Sequence, residues 1–125
     1  MNNYNSEIIY ATAFIDAEGH IEFKTRAKKN GRGKIYPCKA IRIEVCNTDF
    51  KPVEDLKSTF NRGFLSYPKR RIKKNGTLGK QQIKWTVSHK NCYEVVKLIL
   101  PFLKTESRIN NAKQIINYYE EKNKN

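Results

Sequence analysis

Two stretches of this chain alternate apolar and polar residues with a period of two, and each is followed by residues spaced for a helix. In the first, Ile21, Phe23, Thr25 and Ala27 interleave with Glu22, Lys24, Arg26 and Lys28. Further on, Ile41, Ile43 and Val45 interleave with Arg42 and Glu44. Between them, Lys28-Lys29-Asn30-Gly31-Arg32-Gly33-Lys34 holds an Asn-Gly turn signal, so a hairpin is expected to pair Gly19–Lys28 with Ile35–Cys46. The signal returns 45 residues later in Lys73-Lys74-Asn75-Gly76-Thr77-Leu78-Gly79-Lys80. There Ile83, Trp85 and Val87 alternate with Gln82, Lys84 and Thr86, and a second hairpin is expected to pair Phe64–Lys74 with Lys80–His89. A strictly alternating strand has one buried face and one free face, and here the free face is basic.

A helix follows each hairpin. Asp49, Pro52, Glu54 and Asp55 suit an opening turn, and that helix ends near Asn61–Gly63. Asn91 and Glu94 read as a capping box for the next, which stops before Pro101. A last helix starts near Ser107 and aligns Ile109, Ala112, Ile115, Ile116 and Tyr119 on one stripe. Ahead of the repeat lies a helix over Ser6–Asp16. The order αββαββα predicts an α+β domain: a four-stranded antiparallel sheet, its helices on one face and a basic concave face opposite. One domain is expected over residues 1–125, with its core at about 4–119 and a frayed tail at 120–125.

The helix over Ser6–Asp16 has almost no polar side: only Thr12 and Asp16 interrupt Ile8, Ile9, Tyr10, Ala11, Ala13, Phe14, Ile15 and Ala17. A helix apolar all round must be covered all round. One sheet covers one side, and the small residues Ala13 and Ala17, spaced i, i+4, admit a second helix closely. The simplest partner is the same helix of a second copy, with Ile9, Ala13, Asp16 and Ala17 at the seam. The alternative is a central helix fully buried in a monomer.

Charge narrows the function. The 125 residues carry a formal +13, and residues 20–90 hold 19 Lys/Arg against five acids. No acid lies between Asp55 and Glu94. An excess placed on predicted folded elements points to a polyanion-binding surface. No apolar run reaches the ~18 residues of a membrane span, and the polar Met1–Glu7 is no signal peptide. Cys38, Cys46 and Cys92 are odd in number and form no CxxC, so they read as thiols in a reducing, intracellular setting rather than a disulfide frame or zinc knuckle.

The nonamer Ala11-Thr12-Ala13-Phe14-Ile15-Asp16-Ala17-Glu18-Gly19, followed at once by a strand, resembles the motif of the LAGLIDADG homing endonucleases. The resemblance extends through Cys46-Asn47-Thr48-Asp49, Phe60-Asn61-Arg62-Gly63 and Leu100-Pro101-Phe102-Leu103-Lys104, and spans about Tyr4 to Tyr119. A single motif copy is similar to the homodimeric branch. The resemblance implies a site-specific, Mg²⁺-dependent DNA endonuclease, intron-encoded, with Mn²⁺ or Ca²⁺ able to occupy the metal site. It implies metal binding by Glu18, assisted by the Ala17 carbonyl, a structural role for Asp16, and Asn47 near the scissile phosphate. The basic residue that the family often has after the Pro-aromatic-Leu segment falls on Glu106; Lys104 and Arg108 are the nearby substitutes. That departure supports the rival reading of a cleavage-deficient RNA maturase or DNA-binding protein. A ribosome-type RNA-binding protein explains the charge but not Glu18. The richness in Lys, Asn and Ile points to an AT-rich organelle, a bacterium or a phage-infected cell. His20 and His89 read as strand-end residues.

A nine-residue strand spans about 30 Å, close to one ~34 Å turn of B-DNA, so a basic sheet can lie along the major groove of one half-site. Lys24, Arg26, Arg42 and Lys84 suit guanine edges, Gln82 and Asn30 suit adenine, and Glu22 or Glu44 can accept from cytosine. Ser66 and Thr86 share the free face. Lys28, Arg32, Arg70 and Lys73, in or beside the turns, read as phosphate clamps.

Overall fold

The computed structural model describes residues 3–123; residues 1–2, and 124–125 at the end of the expected frayed tail, lie outside the described residues. The elements follow the expected order: α1 (Asn3–Glu18), β1 (Gly19–Lys29), β2 (Ile35–Asn47), α2 (Phe50–Phe60), β3 (Phe64–Ser66), β4 (Ile83–Ser88), α3 (His89–Ile99) and α4 (Glu106–Asn123), with one 3₁₀ turn at Leu100–Phe102. The strands form one antiparallel sheet in the order β1-β2-β4-β3. All four helices pack on the same face, where Ile21, Ile41, Ile43, Val45, Ile83, Trp85 and Val87 are buried. Trp85 anchors this core, stacking on Phe60 at 5.8 Å and donating its indole N–H to the Arg62 carbonyl at 2.9 Å. A buried indole needs such a partner.

Several boundaries differ from the sequence expectation. The second hairpin is much shorter than expected: β3 has three residues and β4 six, with an isolated Ile72–Leu78 bridge out in the loop. Pro68 cannot join a ladder, and the five cations among residues 69–74 have no apolar face to bury. The loop is stapled instead by Arg70 Nε on the Gly79 carbonyl (2.7 Å) and Gln81 Nε2 on the Pro68 carbonyl (2.9 Å). In the first hairpin the expected inward positions Thr25 and Ala27 are exposed, because the β1–β2 ribbon runs past the last helix that could cover it. α3 begins at His89, with no capping box: Asn91 Oδ1 accepts from Arg62 Nη1 at 2.8 Å. α4 continues to Asn123, into the segment expected to fray.

Two glycines sit where no other residue fits. A Cβ on Gly19 would meet the Ile15 carbonyl oxygen at 2.7 Å, so the motif glycine lets β1 leave α1 without a gap. Gly63 has φ +82°, and a Cβ there would meet the Thr86 carbonyl oxygen at 2.5 Å and the Trp85 indole nitrogen at 2.8 Å. Gly63→Ala is expected to cost about 2 kcal/mol or more, read as a lowered urea midpoint, since it adds a left-handed-region strain to a backbone clash.

Candidate nucleic-acid interface

The sheet face away from the helices carries the even-numbered residues of β1, β2 and β4. Across its middle runs a strip of alternating charge. Glu22, 4% exposed, takes Arg26 Nη2 at 2.6 Å and Nε at 3.1 Å on one oxygen and Arg42 Nε at 3.2 Å on the other. His20 and Lys24 stand 3.7 and 3.9 Å from the same carboxylate. Arg42 Nη1 continues to Glu44 at 3.1 Å, and Lys84 lies 4.0 Å beyond. Burial pushes the Glu22 carboxyl up, but the Arg26 hydrogen bonds and the Arg42, Arg26 and Lys24 charges outweigh it and hold the group below the usual glutamate range.

That geometry corrects three of the sequence assignments. Glu22 is no acceptor for a base, because both its oxygens are occupied and it is buried. Asn30 does not read adenine with its carbonyl: Oδ1 closes the turn by accepting the N–H groups of Arg32 (2.9 Å) and Lys34 (3.0 Å). Thr86 is only 8% exposed, so it supports the sheet rather than a ligand. Gln82 is exposed but its Oε1 accepts from the Cys46 thiol at 3.3 Å. Lys24, Lys28 and Arg32 are exposed, and Ser66 lies opposite Lys84.

Beside the strip, a hollow of about 610 Å³ opens between the sheet and the second hairpin loop. Lys69, Arg70, Arg71, Lys73, Lys80 and Lys84 line it against one acid, Glu44. Like charges so concentrated on a folded surface are held apart at a cost that a bound polyanion removes. Cys46 and Thr48 line the same hollow, a placement that no periodic signal in the sequence encodes.

At the edge of the sheet, the end of α1 is locked to the start of α4. Asp16 accepts the N–H groups of Lys104 (2.9 Å) and Thr105 (3.1 Å), and the Thr105 carbonyl receives the first turn of α4 from Ile109. Arg108 donates Nε and Nη2 to the Gly19 carbonyl at 3.1 and 2.7 Å, and Asn111 Nδ2 reaches the Ile21 carbonyl at 2.9 Å. These bonds also cap the outer edge of β1, which would otherwise invite another strand. Both Asp16 oxygens are thus taken by main-chain N–H groups, and Arg108 is committed to the main chain rather than free beside a phosphate. Burial pushes the Asp16 carboxyl up; the hydrogen bonds of Thr105 and Lys104, with Arg108 nearby, more than offset it and leave the group below the usual aspartate range. Its stabilisation is complete above that range and is lost as pH falls through the lowered value. Asp16→Ala is expected to cost about 1–2 kcal/mol near neutrality, with the gap to wild type closing below about pH 3.9. Chemical melts across pH read both.

Glu18 is the last residue of α1 and is exposed with Ala17 beside it. Among the described residues no three His, Cys, Asp or Glu side chains gather into a metal cluster. Asn47 is half-buried; its Oδ1 accepts the Asp49 N–H at 2.9 Å, which shapes the approach to α2 and leaves Nδ2 as its donor. Glu106 occupies the first turn of α4, where an acid complements the helix dipole.

α1 is covered on one side only. Ile8, Ala11, Thr12 and Ile15 are buried, whereas Ile9 is 41% exposed and Ala13 and Ala17 are open beside it. Those three, with Asp16, Phe102, Lys104 and Thr105, line a shallow hollow of about 520 Å³. A helix fully buried in the single chain is thus excluded: the stripe carrying the expected seam residues lies uncovered, and it ends at Glu18.

This arrangement of sheet and helices is the fold of the LAGLIDADG homing endonucleases. The chain is similar to the homing endonuclease I-CvuI in complex with its target in the presence of calcium (TM-score 0.66, 14% identity, 91% of this chain and 66% of that one). It is similar to the group I intron-encoded homing endonuclease I-CeuI complexed with DNA (0.67, 13%, 95% and 56%). It is also similar to the meganuclease I-SmaMI bound to uncleaveable DNA (0.65, 16%, 93% and 38%). The chain therefore spans between about two fifths and two thirds of the length of these proteins. No protein-family profile matches the chain, nor does any curated protein.

Proposed function

We propose that the chain is a site-specific DNA endonuclease that works as a two-fold dimer through the uncovered stripe of α1. The observation that carries this reading is one juxtaposition: an open apolar stripe of small residues ends in an exposed carboxylate, Glu18, at the edge of a strongly basic sheet face. A dimer through Ile9, Ala13 and Ala17 brings two copies of Glu18 together and sets two basic faces side by side. The symmetry of such a dimer calls for a pseudo-palindromic duplex of roughly two turns. The structural likeness to proteins crystallised on DNA supports the same partner.

The donors at that seam are all hard oxygens, the Glu18 carboxylate and the Ala17 carbonyl, and they fit Mg²⁺, with Mn²⁺ or Ca²⁺ as alternatives. Held there, such a cation would supply a water of lowered pKa and charge stabilisation at a phosphate. This chain's own part is positional. Gly19 and the Arg108 and Asp16 bonds fix the end of α1, so Glu18 projects from a rigid point. Lys104 lines the seam hollow and is the cation left to face developing phosphate charge. Asn47 Nδ2 is the remaining polar donor. The protein being intron-encoded belongs to the same proposal.

A second reading has specific support. Glu106 stands where the family often has a base, and Arg108 is held by the Gly19 carbonyl. Both favour a binder that no longer cuts, an RNA maturase or a DNA-binding protein. Incubation with a duplex library carrying randomised sites, with and without Mg²⁺, separates the two: sequenced cut ends support the nuclease, and selective retention without cutting supports the binder.

In either case affinity is expected to fall with salt, by about 0.9 in log affinity per log salt for each phosphate neutralised. Lys73→Ala with Lys74→Ala is expected to weaken binding to all sequences alike and flatten that slope by about 1–2. A titration at several salt concentrations checks it; a salt-independent affinity contradicts the reading.

A further inference from the structure

The basic face divides its charge unevenly. The first turn carries Lys28, Lys29, Arg32 and Lys34, and the second loop carries Lys69, Arg70, Arg71, Lys73, Lys74 and Lys80. Between them the strip Arg26–Glu22–Arg42–Glu44–Lys84, with Lys24 beside Glu22, has a net charge of only two. Two cationic loops flanking a nearly neutral band of hydrogen-bonding groups match a DNA groove, with phosphates on both sides and base edges between. Base reading then falls to the strip, and the strip is not a row of independent side chains.

Glu22 and Arg42 are directly paired across β1 and β2, so the sheet register itself brings them together. Arg26 lies four residues along β1, about 13 Å at strand rise, and reaches back to the same carboxylate. It spends Nε and Nη2 on one Glu22 oxygen, which leaves the end of the guanidinium, Nη1 with the second Nη2 hydrogen, uncommitted. Arg42 spends Nε on the other oxygen and one Nη1 hydrogen on Glu44, which leaves Nη2 with the second Nη1 hydrogen. Both arginines are still substantially exposed, 46% and 38%. A buried carboxylate gripping the inner edges of two exposed guanidiniums fixes their outward donors in relation to each other. A guanidinium fork so held suits the paired acceptors of guanine, and its flexible counterpart must be ordered each time it binds.

We propose that Glu22 is a specificity-determining residue that touches no base: it couples Arg26 and Arg42 into one rigid unit that selects guanine at two positions of each half-site. This rests on the reading of the open face as a DNA interface. Loss of the Glu22 charge frees both arginines together, so the two preferences disappear as a pair. Net affinity is spared, because the flanking loops contact phosphate and one negative charge has left the face.

The experiment selects bound duplexes from a library of roughly two helical turns with randomised positions, in Ca²⁺, and sequences them. Wild type is expected to enrich guanine at two positions per half-site. Glu22→Gln is expected to reduce both preferences by about tenfold or more while the other positions keep theirs, with affinity for unselected duplex within about threefold. Retained preference elsewhere shows that the variant is folded. Arg26→Lys supplies a second reading, in which the preference belonging to Arg42 weakens as well. Glu22→Gln that keeps both preferences, loses only one, or flattens every position alike overturns the proposal. If Glu22→Gln does not fold, an unchanged Arg42 position in Arg26→Lys overturns it. A wild type that binds duplex but enriches no sequence sinks this inference alone, and one that binds no duplex sinks the DNA-interface reading beneath it.

Discussion

Glu18→Gln is expected to abolish cleavage while leaving DNA binding intact. The substitution keeps the length and hydrogen-bonding capacity of the side chain and removes only the charge that holds a divalent cation. Glu18 is exposed at the end of α1, and none of the bonds locking that end to α4 runs through it. The fold is therefore expected to tolerate the change. An acid at a helix C-terminus is opposed by the dipole, so its replacement is neutral or mildly stabilising. Binding rests on the two cationic loops and survives; it tightens slightly where a carboxylate no longer faces phosphate. Cleavage falls by several orders of magnitude, because metal-assisted charge stabilisation is worth several kcal/mol of barrier and each ~1.4 kcal/mol is tenfold in rate. Single-turnover cleavage beside a binding titration reads the two effects separately. A variant that cuts as fast as wild type in Mg²⁺ removes Glu18 from the catalytic role.

Ala13→Glu is expected to be nearly as severe by a different route. Ala13 is exposed in the single chain, on the stripe with Ile9 and Ala17, so the new carboxylate disturbs nothing within the fold. In a two-fold seam it places two charges in a dry interface close to each other, at a cost of several kcal/mol. The expected product is a folded monomer with an unchanged far-ultraviolet spectrum, a sedimentation coefficient for half the mass, and no double-strand cleavage. Half-site binding persists at reduced affinity, since the two basic faces are no longer linked. If wild type sediments as a 14.7 kDa monomer even on DNA, the two-fold assembly is wrong. The exposed stripe would then need a different partner.

Much of this protein is legible in its sequence, and the reason is periodicity. Ile41, Ile43 and Val45 against Arg42 and Glu44 fix which face of β2 is buried, because one residue of slip would invert every side chain. The first Asn-Gly turn sets the β1–β2 hairpin, the run from Ala11 to Gly19 sets the junction of α1 with β1, and the absence of acids between Asp55 and Glu94 marks the basic face. The helix-terminal place of Glu106 follows from position within an element. None of these depends on which distant residue lies nearby.

Only the tertiary structure decided the rest, wherever a side chain's role depends on its partner across the fold. Glu22 has the strand position of a free acceptor, yet the β1–β2 register puts Arg42 opposite it and Arg26 folds back onto it, turning a solvent-facing acid into a buried hub. Arg108 is 89 residues from the Gly19 carbonyl it holds, and no local pattern encodes that pairing. The second hairpin alternates enough to suggest long strands, but a ladder needs an apolar face and a covering layer, and its lysine-rich arms have neither. Composition showed α1 to be apolar on every side. Which of its sides the rest of the chain leaves uncovered was settled by packing alone, because α2, α3 and the sheet bury Ile8, Ala11 and Ile15 and have nothing left to cover Ile9 and Ala13.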